Sequence, residues 1–165
     1  MAIEYGINEE QEMLRKMARD FFTNEMPMKR VRELMNDDTG HSTELWKKMA
    51  ELGWLGLVLP EEYGGAGMNF RDLTILLEEM GRIVLPGPFI STVLLAGMPI
   101  LAHGTAAQKK EILPKIAKGE AVCTIAALEE DGDWNAESIN VRADKRGDNY
   151  IINGMKLFVP DAKIA

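Results

Sequence analysis

Apolar residues return every third or fourth position through residues 9–118, then alternate or run in short β-branched blocks to the end of the chain. The first pattern predicts amphipathic helices and the second predicts strands. Asn8 and Gln11 form a capping-box pair ahead of the stripe Leu14, Met17, Ala18, Phe21 and Phe22, and Pro27 ends that helix. Residues 28–40 are polar enough for only a short helix and a loop. Ser42 caps a second helix bearing Leu45, Trp46, Met49 and Leu52, closed by Gly53. Residues 54–60, WLGLVLP, are too short and punctuated for another long helix, and EEYGGAG at 61–67 reads as a turn-rich loop.

Asn69 and Asp72 open a third helix with Leu73, Leu76, Leu77 and Met80 on its inner face. After Pro86-Gly87-Pro88, residues 89–103 predict a helix apolar nearly all round, kinked or interrupted at Pro99. Thr105 and Gln108 cap a helix through Ile112, which Pro114 separates from residues 115–118. Beyond Gly119 the run Ala121–Leu128 is a strand candidate, as are residues 139–145, 150–152 and 156–159. Turns are expected at Gly147-Asp148-Asn149 and at Asn153-Gly154. The chain is therefore mainly α, then β: a helical bundle over 1–118, followed over 119–165 by the three or four first strands of an incomplete antiparallel β domain. An open strand edge at the end is an aggregation hazard, so the sequence is expected to be a fragment or to have that edge covered. The seam near Gly119, where a small-residue run breaks into an acidic Gly/Asp loop, is the candidate site.

Composition narrows the function. Twenty-six acidic against 19 basic residues give a net charge of −7, which argues against nucleic acid as the main partner. The single cysteine, Cys123, allows no disulfide within the chain and sits in an apolar run, as a buried inert thiol does. The first thirteen residues lack the basic and apolar regions of a secretory leader, and no apolar run approaches the ~18 residues of a membrane span. A reducing, cytoplasmic setting fits these features. His41 and His103 have no second ligand at metal spacing, and Glu61-Glu62 reads as a solvated turn rather than an acid–base pair.

Three blocks carry a resemblance. LGWLGLVLPEEYGGAG at 52–67, HGTAAQKKEILPKIAKGEAVCTIAALEE at 103–130 and GDNYIINGMKLFVPDAKIA at 147–165 resemble, in order and register, the acyl-CoA dehydrogenase family of flavoenzymes. The resemblance covers essentially the whole chain. It implies the N-terminal helical domain and the opening strands of the middle β-barrel domain, with the C-terminal helical domain absent. It also implies FAD as cofactor, an acyl-CoA substrate, an electron-transfer flavoprotein as redox partner, and a homo- or hetero-oligomer. The family's catalytic glutamate lies in the C-terminal part in most members, so none is expected here. Carried over by position, the flavin side of the site falls on Ala126, Leu128, Trp134, Phe158 and Pro160, and the acyl side on Thr92, Val93, Leu95 and Ala96.

Several of these positions depart from the family pattern. Where the family usually reads Thr-Glu-Pro-Gly-x-Gly-Ser-Asp, this chain reads Leu128-Glu129-Glu130-Asp131-Gly132-Asp133-Trp134-Asn135. Where it reads Trp-Ile-Thr-Asn, this chain reads Phe158-Val159-Pro160-Asp161. Two hydroxyls that would meet the flavin ring are thus lost at Leu128 and Pro160, a phosphate-binding serine is replaced by Trp134, and acidic residues occupy the phosphate end. A second expectation follows from these departures, a non-catalytic partner subunit of a heteromeric enzyme. A third is a free-standing helical interaction module with a β extension.

Overall fold

A computed structural model describes residues 6–165 of the chain. The reading of the N-terminus as leader-free falls in part on residues 1–5, which lie outside the described residues. Among the described residues six α-helices follow in order: α1 (Glu9–Glu25), α2 (Met28–Leu34), α3 (Thr43–Glu51), α4 (Phe70–Arg82), α5 (Met98–His103) and α6 (Ala106–Ala117). A π-helical stretch, Ile90–Gly97, runs directly into α5. Two strands, β1 (Arg142–Arg146) and β2 (Asn149–Asn153), pair antiparallel with Arg142 opposite Asn153. These elements match the mainly-α-then-β reading.

The helix starts are local chemistry. Asn8/Gln11, Asn69/Asp72 and Thr105/Gln108 each form both halves of a capping box, and the Ser42 hydroxyl accepts from the Leu45 N–H. Each such cap contributes about 1 kcal/mol. The stripes then bury Leu14, Ala18 and Phe22 from α1, Leu45, Trp46 and Met49 from α3, and Leu73, Leu76 and Met80 from α4. Two residues of the expected stripes turn outward: Met17 is 50% and Leu52 42% exposed. The inner position on α1 falls instead to Gln11, whose amide donates to Asp72 at 2.8 Å. At the bundle centre Trp54 packs against Phe21 and Phe22, ring centroids 5.0 and 5.3 Å apart; burying a ring the size of Phe22 is worth about 1.5–3 kcal/mol. Glu79, fully buried on α4, receives Arg19 of α1 at 2.6 and 3.0 Å and Arg82 at 2.9 Å.

Four details differ from the sequence expectation. The α6 helix is not divided at Pro114 but runs through it to Ala117, because Leu113, Ile116 and Ala117 are buried and anchor the last turn. The run 121–128 forms no strand ladder; it is tied by the main-chain bonds Ala121 N–H to Lys115 O at 3.2 Å and Leu157 N–H to Leu128 O at 2.9 Å, and by side-chain bonds of Thr92, Thr124 and Lys156. The only hairpin among the described residues turns at Gly147-Asp148, and Asn153-Gly154 does not make a second. Gly154 is pressed onto Val141, where a Cβ would lie 2.3 Å from the valine Cγ2. Residues 156–159 form no strand, since Phe158 takes a left-handed φ of +51° that ends extension.

The seam is fixed from the helical side. The Trp46 indole N–H donates to Gly119 O at 3.0 Å, and Gly119 holds φ +71° with Ala50 Cβ only 2.9 Å from where its own Cβ would stand. Only glycine fits there. This contact aims the chain leaving α6 across the bundle and toward the π-helical stretch.

Candidate functional site

An apolar cavity of about 260 Å³ opens where the seam run, the 157–160 turn and the π-helical stretch meet. Leu128, Trp134, Phe158 and Pro160 line it, with Leu95 from the π-helical stretch and Ile125 and Ala127 from the seam run. Four of the five residues expected on the flavin side therefore converge. The fifth, Ala126, lines an adjoining cavity of about 240 Å³ that shares Trp134, Ile125 and Ala127. Of the four residues expected on the acyl side, only Leu95 reaches the cavity. Val93 and Ala96 are buried in the bundle, and Thr92 is fully buried with its hydroxyl bonded to the main chain of Cys123. A separate apolar groove of about 390 Å³ lies between α4 and the π-helical stretch, bounded by Leu77, Met80, Val84, Phe89 and Leu94.

Trp134 and Phe158 are 78% and 86% exposed, so two aromatic faces stand open at the cavity mouth. Such rings stack readily on a flat heteroaromatic system. The acidic side is more ordered than its composition suggests. Glu129 is buried, and its carboxylate accepts from Lys156 Nζ at 2.7 Å and from the N–H groups of Asn140 and Val141 at 2.8 and 3.1 Å. The Lys156 ammonium first, then those N–H groups, hold the Glu129 carboxyl down at about 2. Lys156 also donates to Ala127 O at 3.0 Å, so one lysine joins the cavity wall to the buried carboxylate. Asp133 is held below its ordinary value chiefly by the Ser138 hydroxyl, with the Asn135 N–H and side chain. Sequence reading missed the Glu129–Lys156 pair, because the partners lie 27 positions apart and no short motif joins them. Cys123 is half-buried and its thiol is pushed up by burial, as an inert thiol should be.

A flavin can be tested against this lining. The cavity is smaller than the about 300–1,000 Å³ of a site enclosing a whole ligand, and its apolar walls and open aromatic rings suit one flat ring system. The N–H groups of Ala126 and Leu128 make no hydrogen bond within the described residues, leaving main-chain donors on one wall. The lining fits the ring. It does not fit a pyrophosphate, since Glu130, Asp131 and Asp133 are all exposed beside it. Glu129 is committed to three donors and so is not free to act as a base. Among the described residues no group of three or more His, Cys, Asp or Glu is placed to hold a metal ion, and no helix is long and apolar enough to cross a membrane.

The fold has counterparts among known proteins. The model of the acyl-CoA dehydrogenase N-terminal domain matches residues 8–120. The 3-(aryl)acrylate reductase of Clostridium sporogenes is 34% identical over 95% of this chain and 42% of its own length. A solved chain of the Tcur3481–Tcur3483 steroid ACAD, as its G363A variant, superposes with a TM-score of 0.85 at 35% identity, covering 97% of this chain and 44% of that one. An acyl-CoA dehydrogenase from Bacillus anthracis, complexed with FAD, superposes with a TM-score of 0.85 at 30% identity, covering 96% and 28%. The chain spans about two fifths of the length of the curated relatives it matches, 38% and 42% in two cases.

Proposed function

The chain belongs to the acyl-CoA dehydrogenase family, and we propose that it forms the helical domain and first β segment of a flavoenzyme that oxidises an acyl-CoA thioester across its α,β bond. The observation that carries the reading is the convergence of Leu128, Trp134, Phe158 and Pro160 on one apolar cavity beside Leu95. FAD, when bound, supplies the hydride acceptor that no side chain can replace. This chain's own part is to hold the ring. Trp134 and Phe158 offer aromatic faces, Leu128 and Pro160 exclude water, and the Ala126 and Leu128 N–H groups donate to the polar edge of the ring. Leu95 presses the acyl side. The base that removes the α-proton comes from outside these residues. The division is taken as 1–118 for the helical domain and 119–165 for the β segment. An electron-transfer flavoprotein is the proposed redox partner, in an oligomer and in a reducing cytoplasm that suits the lone Cys123.

A second reading has a specific observation behind it. Neither Leu128 nor Pro160 offers a hydroxyl, Pro160 lacks an N–H, and the neighbouring loop is acidic. Losing two side-chain hydrogen bonds at about 1 kcal/mol each weakens flavin binding roughly thirtyfold. A non-catalytic subunit that completes a partner's site would tolerate that loss. Expressing the intact gene product alone and recording its visible spectrum decides between them. Flavin bands that an acyl-CoA bleaches support the enzyme. A colourless protein, with colour only after co-expression of a second subunit, supports the partner role.

A further inference from the structure

Two hydroxyls join the two walls of the cavity to the helix that roofs it, and a third joins the walls to each other. The Thr92 side chain donates to Cys123 O at 3.0 Å and accepts from Cys123 N–H at 3.1 Å, occupying the place of a neighbouring strand. Thr124, the next residue on that wall, donates its hydroxyl to Pro160 O at 2.6 Å. Ser91 donates to Asp161 Oδ2 at 2.5 Å, closing the circuit from the opposite wall back to the π-helical stretch. Ser91 and Thr92 are 2% and 0% exposed. Farther out, Lys163 pairs with Asp38 at 3.4 Å.

The opposite wall does not hold its shape by itself. Phe158 and Asp161 both sit at left-handed φ, +51° and +52°. A left-handed conformation is unfavourable for an L-residue and an outlier for a bulky one, and it persists where the surroundings over-determine it. Leu157 N–H to Leu128 O anchors that turn at one end and the Ser91–Asp161 and Thr124–Pro160 bonds anchor it at the other. The Phe158 ring stands between those anchors. The helix carrying the hydroxyls also carries Leu95, so one rigid element sets the cavity roof and the spacing of both walls.

We propose that Ser91, Thr92 and Thr124 are positioning residues: together they clamp the 123–128 and 157–161 walls at a fixed separation and so fix where the Phe158 ring meets a bound ring system. The clamp itself is independent of what is bound; its consequence for FAD rests on the function proposed above.

The test uses the intact protein, with and without its co-expressed subunit if it has one, as Ser91→Ala, Thr92→Val and Thr92→Ser. Amide hydrogen exchange is measured on FAD-free protein, and FAD affinity is measured by fluorescence quenching. Ser91→Ala, which loses the bond to Asp161, speeds exchange at residues 155–162 about tenfold, and Thr92→Val, which loses both bonds to Cys123, speeds it at least as much. Exchange within α1 and α4 stays at the wild-type rate. FAD affinity falls by a similar factor, and Thr92→Ser, which keeps the hydroxyl, restores both. If Thr92→Val fails to fold, Ser91→Ala decides alone. Unchanged exchange at 155–162, or faster exchange spread evenly over the bundle, overturns the clamp. A wild-type protein that takes up no FAD sinks the flavin reading instead, and leaves the exchange comparison to judge the clamp.

Discussion

Replacing Gly65 by alanine should destabilise the helical domain more than any change of one methyl group elsewhere on its surface. A Cβ at Gly65 would lie 2.0 Å from Leu59 O, 2.5 Å from Leu59 C and 2.6 Å from Gly56 O. All three are main-chain atoms, so no rotamer relieves the clash. The turn must open instead, and it is closed by Gly65 N–H to Pro60 O at 3.2 Å, Ala66 to Gly56 at 3.0 Å, Gly67 to Leu59 at 2.9 Å and Met68 to Leu57 at 2.9 Å. Losing two of these bonds at about 1 kcal/mol each, with an overpacking cost of about 1–3 kcal/mol, gives a loss of about 3–5 kcal/mol. At about 2–4 °C per kcal/mol for a chain of this size, the thermal midpoint drops by about 6–20 °C. Gly81→Ala is the matched control. It lies inside α4 with nothing within 4 Å of its would-be Cβ, so the same methyl group should stabilise by about 0.5–1 kcal/mol. Far-UV circular dichroism melts of both variants and the parent make the comparison. A Gly65→Ala midpoint within about 1 °C of the parent, or a Gly81→Ala loss as large as that at Gly65, would refute the steric argument.

Three further outcomes are expected. Restoring hydroxyls with Leu128→Thr and Pro160→Thr should tighten FAD binding by about fivefold for each bond regained, measured by titration of the apoprotein; no gain would show that these positions do not face the ring. Arg19 first, and Arg82, hold the Glu79 carboxyl below its ordinary value. Its stabilising contribution is therefore complete above an unfolded value of about 4.3 and is lost as pH falls through the lower folded one, so Glu79→Gln should flatten the fall in stability on acidification, read from urea midpoints at several pH values. Lys156→Met removes the largest cause of the depressed Glu129 value, so an NMR titration should find that carboxyl well above about 2, and protection around residues 140–141 should fade at higher pH than in the parent.

Much of the helical domain could be read along the chain because its signals are local. Asn8 with Gln11, Asn69 with Asp72 and Thr105 with Gln108 stand three residues apart, and their reciprocal bonds need nothing from the rest of the molecule. The change from helical to alternating pattern near Gly119, and the turn at Gly147-Asp148, were legible for the same reason. The candidate flavin positions were placed by order and register against a family pattern, and four of them do meet in one cavity.

What the linear pattern could not supply was direction and partner. Thr92, Val93 and Ala96 lie in the same mostly apolar run as Leu95, but π-helical winding turns them into the bundle and leaves Leu95 at the cavity. Pro114 looked like a break, and burial of Leu113 and Ile116 overrode it. Glu129 looked like one charge in an acidic loop until Lys156 came to stand beside it. Capping, periodicity and turn chemistry act between residues a few positions apart, so the sequence determined them. Which face is inward, which carboxylate is neutralised and which hydroxyl bridges two walls depend on residues tens of positions apart, such as Ser91 and Asp161. Only the folded chain brings those within reach of one another.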